Sequence, residues 1–132
     1  MAENTVLLAE SRSIDAAYMQ LLLEKNGWKT EVVTDGTEVL ERIRRKQYSL
    51  ILMSEELNCM DGITTVRKIR EFENGTRYHI PVVGFTSYSL EGEKRKLLGA
   101  GMDFCLSKPV YKNKLLEILQ TLAHVSSNVS VA

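Results

Sequence analysis

The sequence predicts an α/β fold: a doubly wound, five-stranded parallel sheet with helices on both faces. Three observations carry this. Short apolar runs alternate throughout with longer segments whose apolar residues recur every three or four positions. Those runs lack the polar alternation of half-exposed strands, so they read as strands buried on both faces. Successive strands separated by a helix must pair in parallel through crossovers. The 132 residues suit one domain with a single sizeable core.

Val6-Leu7-Leu8-Ala9 reads as the first strand. Ile14, Ala17, Tyr18, Leu21 and Leu22 follow at helical spacing, as an expected core-facing stripe. Asn26-Gly27 supplies the left-handed stop of that helix. Lys29 to Val33 is β-prone, Thr34-Asp35-Gly36 is a turn, and Val39, Leu40 and Ile43 mark a second helix. Its end, Arg44-Arg45-Lys46, places cations where the helix dipole favours them. Leu50-Ile51-Leu52-Met53 is the most hydrophobic run and reads as a central strand. A helix is expected from about Gly62 to Glu73, anchored by Ile63, Val66, Ile69 and Phe72. Pro81 to Phe85 reads as the fourth strand, with proline at the tolerated first position. Ser89 to Ala100 is a polar helix held by Leu90, Leu97 and Leu98, and Phe104-Cys105-Leu106 is a short fifth strand. Leu115, Leu116, Ile118, Leu119 and Leu122 define the last helix, before a small-residue tail from Val125.

Composition excludes several classes of function. Lys+Arg and Asp+Glu are both 17, so the basic excess of a phosphate-reading nucleic-acid binder is missing. No apolar run approaches the ~20 residues of a membrane span, and Met1-Ala2-Glu3-Asn4 does not resemble a signal peptide. A cytoplasmic or nucleocytoplasmic protein is expected. Cys59 and Cys105 match no metal spacing and read as small buried hydrophobes. His79 and His124 have no carboxylate or cysteine at ligand spacing, so each reads as a loop or helix-end residue. No metal or cofactor is expected.

In an open α/β sheet the functional crevice lies beyond the carboxyl ends of the strands. The residues there are Glu10 and Ser11, then Ser54, Glu55 and Glu56, then Thr86 and Ser87, then Ser107, Lys108 and Pro109. No glycine-rich nucleotide loop follows the first strand.

From about Val6 to Leu122 the chain resembles the receiver domains of two-component response regulators, in the style of hybrid histidine kinases. The resemblance rests on Leu50-Ile51-Leu52-Met53 with Met60-Asp61-Gly62, and on Ile80-Pro81-Val82-Val83-Gly84-Phe85-Thr86. It rests also on Gly99-Ala100-Gly101-Met102-Asp103 followed by Leu106-Ser107-Lys108-Pro109. It implies a flavodoxin-like (βα)5 fold with strand order 2-1-3-4-5, a receiver-like domain over residues 1–124 and a flexible tail over 125–132. It further implies a switch threonine at Thr86, a lysine at Lys108 and a cis-proline at Pro109.

A working receiver takes a phosphoryl group onto an aspartate after strand three, with Mg²⁺ held by that aspartate and an acidic pair after strand one. Carboxylates are needed because Mg²⁺ is a hard cation that offsets charge on the transferring group. Here the acceptor position is Ser54 and the acidic pair is Glu10-Ser11. A serine hydroxyl is a poor unassisted nucleophile and a weak, neutral ligand. Asn58 replaces the usual loop proline and Cys105 the aromatic switch residue, with Phe104 beside it. Strand alternation points Glu55 away from Ser54, and a solvated role is expected for Glu55 and Glu56. Asp61 belongs to the turn before helix three, and Lys108 is expected to contact Glu10.

The expected function is a pseudo-receiver: a non-enzymatic, phosphorylation-independent interaction module with a vestigial pocket of Glu10, Ser11, Ser54, Thr86 and Lys108. The alternatives are a receiver regulated by Ser54 phosphorylation and an engineered inactive form of a phosphoacceptor receiver. Expected partners are signalling proteins: a histidine kinase, a phosphotransfer protein or an output protein. The resemblance also implies a homodimer surface on helix four, strand five and helix five. Its residues would be Tyr88, Leu90, Lys94, Leu98, Phe104, Tyr111, Lys112 and Leu115.

Overall fold

The computed structural model describes residues 4–88 and 90–131, with side chains as far as residue 122. Five strands, β1 (Thr5–Ala9), β2 (Lys29–Val33), β3 (Leu50–Ser54), β4 (Val82–Thr86) and β5 (Phe104–Ser107), alternate with five helices. These are α1 (Ser13–Lys25), α2 (Gly36–Arg45), α3 (Gly62–Glu73), α4 (Glu91–Ala100) and α5 (Lys112–Val131). All strand pairs are parallel, in the order β2-β1-β3-β4-β5.

Strand alternation divides the core in two. Leu7, Ala9, Ile51, Met53 and Val82 face α2, α3 and α4, where they meet Val39, Ile43, Val66, Ile69 and Leu97. Val6, Leu8, Leu50, Leu52, Val83 and Phe85 face α1 and α5, where they meet Met19, Leu22, Leu23, Leu115 and Leu119. Side-chain caps fix two helix starts: Asp35 accepts from the Thr37 N–H at 2.7 Å and Asp61 from the Thr64 N–H at 2.8 Å. Gly27, at φ +87°, follows the end of α1 as expected.

The α1 stripe is corrected. Its buried residues are Ala16, Met19, Leu22 and Leu23, whereas Ile14, Tyr18 and Leu21 are exposed and Ala17 lies on their side. A helix rich in apolar residues all round offers two overlapping stripes, and periodicity alone does not choose between them. Phe72 is likewise exposed rather than an anchor of α3. Leu90 and Leu98 are also exposed, leaving Leu97 and Ala100 as the buried residues of α4. Cys59 is exposed and held at φ +64°, not buried. The tail expected over 125–132 and His124 fall where side chains lie outside the described residues.

Candidate functional site

Parallel pairing brings the strand ends to one edge. Ser54 closes β3 opposite Phe85, Thr86 closes β4 opposite Ser107, and Glu10 follows β1. Glu10, Ser54 and Thr86 are buried, and Lys108, just after β5, donates its backbone N–H to the Thr86 carbonyl at 2.7 Å. The Lys108–Pro109 peptide is cis. Gly62 permits the close approach of α3 to this edge. A Cβ there would lie 2.5 Å from the Ser54 carbonyl oxygen and 3.0 Å from Glu55 Cα.

Lys108 Nζ donates to Glu10 Oε1 at 2.6 Å and to Asp15 Oδ2 at 3.2 Å. The second Glu10 oxygen accepts from the Arg12 N–H at 3.1 Å. The lysine is thus held between two carboxylates, and the buried carboxylate has its charge and a lone pair satisfied. Asp15 was not signalled by the sequence, where a carboxylate in a first helical turn already has a role with the helix dipole. Ser11 is not part of this ion cluster: its hydroxyl donates to the Glu56 carbonyl at 3.1 Å.

Thr86 is held from the other side. Its hydroxyl donates to Glu55 Oε1 at 2.7 Å and accepts from the Tyr88 N–H at 3.0 Å. Glu55 is therefore not simply solvated. It does turn from Ser54, as alternation requires, but onto the neighbouring strand's threonine. Burial, and then a hydrogen bond with Glu93 of α4, raise its carboxyl above the usual range, against the lowering effect of Thr86.

These residues do not fit the Mg²⁺ that a phosphoaccepting receiver would use. Ser54 and Ser11 offer neutral hydroxyls, and both oxygens of Glu10 are already hydrogen-bonded. Among the described residues no group of three His, Cys, Asp or Glu side chains could hold a metal ion.

The expected surface residues are brought only partly together. Tyr88, Leu90, Leu98, Tyr111 and Lys112 are exposed, and Lys94 and Phe104 are half-buried. Leu115 is a correction: it is fully buried in the core against α1 and the sheet, so it cannot meet a partner. Cys105 is half-buried, and loss of solvation pushes its thiol up to about 11. A separate groove runs from Glu10 and Lys108 between α1 and the β5–α5 loop, lined by Ile14, Tyr18, Val110 and Tyr111. The Tyr18 hydroxyl donates to the Val110 carbonyl across it at 3.2 Å.

His79 lies in a loop, as expected, and has an acidic neighbour distant in sequence. Its Nε2 lies 2.7 Å from Asp103 Oδ1, in a network where Arg70 joins Asp103, Glu73 and the carbonyls of Ile80 and Gly101. This network sits at the opposite end of the strands from the crevice.

Comparison with known proteins identifies the family. Residues 6–120 match the response regulator receiver domain. The chain is 32% identical over 130 residues to hybrid signal transduction histidine kinase K of Dictyostelium discoideum, covering 94% of this chain and 11% of that protein. It is 32% identical over 117 residues to sensor histidine kinase GacS of Pseudomonas protegens, covering 86% and 12%. The chain therefore spans only a small part of these relatives. Among solved structures, it resembles the receiver domain of sensor histidine kinase PA1611 from Pseudomonas aeruginosa, with a magnesium ion coordinated in its active site cleft. That match has a TM-score of 0.81 and 32% identity, covering 92% of this chain and 98% of that one. A Francisella response regulator receiver domain matches with a TM-score of 0.84 and 26% identity, over 94% and 99%. The chain belongs to the response regulator receiver domain family and carries its doubly wound fold.

Proposed function

We propose that this receiver domain of two-component signalling is a pseudo-receiver, a phosphorylation-independent protein-interaction module rather than an enzyme. The observation that carries the reading is the Lys108 ammonium, engaged by Glu10 at 2.6 Å and Asp15 at 3.2 Å, in a chain with a serine at the acceptor position. In this reading Glu10, Ser11, Ser54, Thr86 and Lys108 form a vestigial pocket. The lysine that would meet a phosphoryl group instead closes the crevice with the chain's own carboxylates.

The module would serve signalling proteins of the cytoplasm: a histidine kinase, a phosphotransfer protein or an output protein. Two surfaces suit it. The exposed Ile14 and Tyr18 of α1 border the groove leading to the crevice, and Leu21 is exposed on the same helix. Tyr88, Leu90, Leu98 and Tyr111 give the α4–β5–α5 surface, a homodimer site in this reading, an exposed apolar character without Leu115. With no aspartyl phosphate, its conformation is set by which partner binds each state more tightly. Regulation through Ser54 phosphorylation is disfavoured because that residue is buried at a strand end.

Incubation with acetyl phosphate and Mg²⁺, followed by intact-mass measurement, tests the reading. The expected result is an unchanged mass. Gain of a phosphoryl group that maps to Ser54 would replace this proposal with a serine-accepting receiver.

A further inference from the structure

At the end of the molecule opposite the crevice, a groove runs between the C-terminal turns of α2 and α3. Ile43, Arg44 and Arg45 form one wall, Phe72, Tyr78 and His79 the other. Past Arg44 and Phe72 it continues between the two helices to Lys68 and Glu71. The groove is distinct from both surfaces considered above and owes nothing to the state of the acceptor site.

Its charge is not fully explained by helix ends. Arg42 and Lys46 are both engaged by Glu31, which also accepts from the Tyr48 hydroxyl at 2.7 Å. The Lys46 hydrogen bond, followed by that of Tyr48, holds this carboxyl below its usual range. Arg44 and Arg45 project beside this satisfied cluster, with no ion pair to another described residue. The nearby acids, buried Glu73 and half-buried Asp103, are already committed: Glu73 to Arg70 and the Ile80 N–H, Asp103 to Arg70, His79 and the Val82 N–H. Glu71 is the acid at the far end of the groove, beside Arg44 and Lys68, with Arg45 in the adjoining part.

The opposite wall is apolar and prefixed. Phe72 is 48% and Tyr78 62% exposed, a large aromatic area for a soluble surface. The loop that presents Tyr78 is fastened by side-chain bonds. Thr76 Oγ1 donates to the Glu73 carbonyl at 2.6 Å and accepts from the Tyr78 N–H at 3.1 Å. Gln47 Nε2 donates to the Tyr78 hydroxyl at 2.6 Å from the other side of the groove. A wall held in place before binding loses little conformational freedom on binding, which favours a real contact surface.

We propose that this α2–α3 groove docks an acidic segment of a partner protein. Carboxylates of the segment pair with Arg44 and Arg45, and an apolar side chain lies between Phe72 and Tyr78. Arginine forks suit carboxylates, and aromatic anchors beside them are the composition of contact hot spots. The chain's balance of 17 basic and 17 acidic residues argues against nucleic acid as the occupant.

The test is an amide NMR titration of the isotope-labelled chain with a synthetic peptide in which Glu and Asp alternate with Leu and Phe. A counterpart with Gln and Asn in place of the acids serves as the comparison. Saturable shifts confined to Arg44–Tyr48 and Phe72–Ile80 are expected, with the uncharged peptide about ten-fold weaker or more. R44E/R45E and, independently, F72A/Y78A should each weaken the charged peptide about ten-fold. Both pairs are exposed, so the fold should survive, as an otherwise unchanged spectrum would show. No saturation, equal binding by R44E/R45E, or shifts that map to the α1 groove would overturn the proposal. So would tighter binding to phosphatidylserine vesicles or to single-stranded RNA than to the acidic peptide.

Discussion

The two sides of the crevice have diverged differently. On the β1–β3 side, serine stands at positions 11 and 54, where the family resemblance places carboxylates. On the β4–β5 side, Thr86 and Lys108 remain at the expected places, each satisfied by a carboxylate of the same chain. Lys108 has Glu10 and Asp15, and Thr86 has Glu55. The contrast teaches that a side chain at a family position can be satisfied by other groups of the same chain. A buried cation or hydroxyl that loses one partner needs another, and here the fold supplies both from within a residue or a helical turn of the altered positions.

If that account is right, the pairing of Lys108 with Glu10 is structural. Lys108→Met should cost about 3 kcal/mol in denaturant unfolding, because it strands a carboxylate only 2% exposed. Adding Glu10→Gln should recover part of the loss, a coupling that a double-mutant cycle measures. A loss below ~0.5 kcal/mol, as for an exposed pair, would break the comparison. On the serine side, Gly62→Ala should cost about 1–3 kcal/mol, because its Cβ would press on the backbone of Ser54 and Glu55. An unchanged midpoint would show that α3 can move away freely.

Smaller effects come from titration and access. Glu55 has a raised carboxyl, so the native state holds its proton more readily than the unfolded chain does. Its contribution is present at low pH and is lost as pH rises from the ordinary carboxylate range through the raised value. Glu31 and Asp35, both lowered, act oppositely: their contributions are present above that range and lost as pH falls below it. Glu55→Gln keeps an acceptor for Thr86 and should flatten the decline on the upper side. An identical stability–pH curve in wild type and variant would contradict this. Least perturbing is thiol labelling: exposed Cys59 should react well ahead of half-buried Cys105, whose thiol is pushed up to about 11. Equal rates would mean that β5 and α4 separate readily.

The layout of strands and helices was legible because each apolar run is short, bounded by turn residues and followed by helical spacing. Helix faces were less so. In α1, periodicity selected Ile14 and Tyr18, while the sheet took Met19 and Leu23. Both faces are apolar, and only tertiary packing distinguishes them. At the site, strand-end position identified Glu10, Ser54, Thr86 and Lys108, and opposite charge anticipated the Lys108–Glu10 contact. Asp15 and Glu55 were not legible as partners. Each reaches its contact across elements, from the first turn of α1 to the residue after β5 and from the end of β3 to the end of β4. Burial of Leu115 was legible from its helical spacing with Leu119 and Leu122, all packed in one core cluster, while the family resemblance had put it on the surface.

The most direct test of the central claim compares the wild type with S11D/S54D. Both are titrated with Mg²⁺ and beryllofluoride while the amide resonances of Ser54, Thr86 and Lys108 are followed, position 54 being Asp in the variant. The account predicts an unresponsive wild type at millimolar Mg²⁺ and saturable shifts in the variant, where carboxylates again compete for Lys108 and the cation. Saturable shifts in the wild type that spread to α4 would contradict it, because the pocket would then still bind phosphoryl-like ligands.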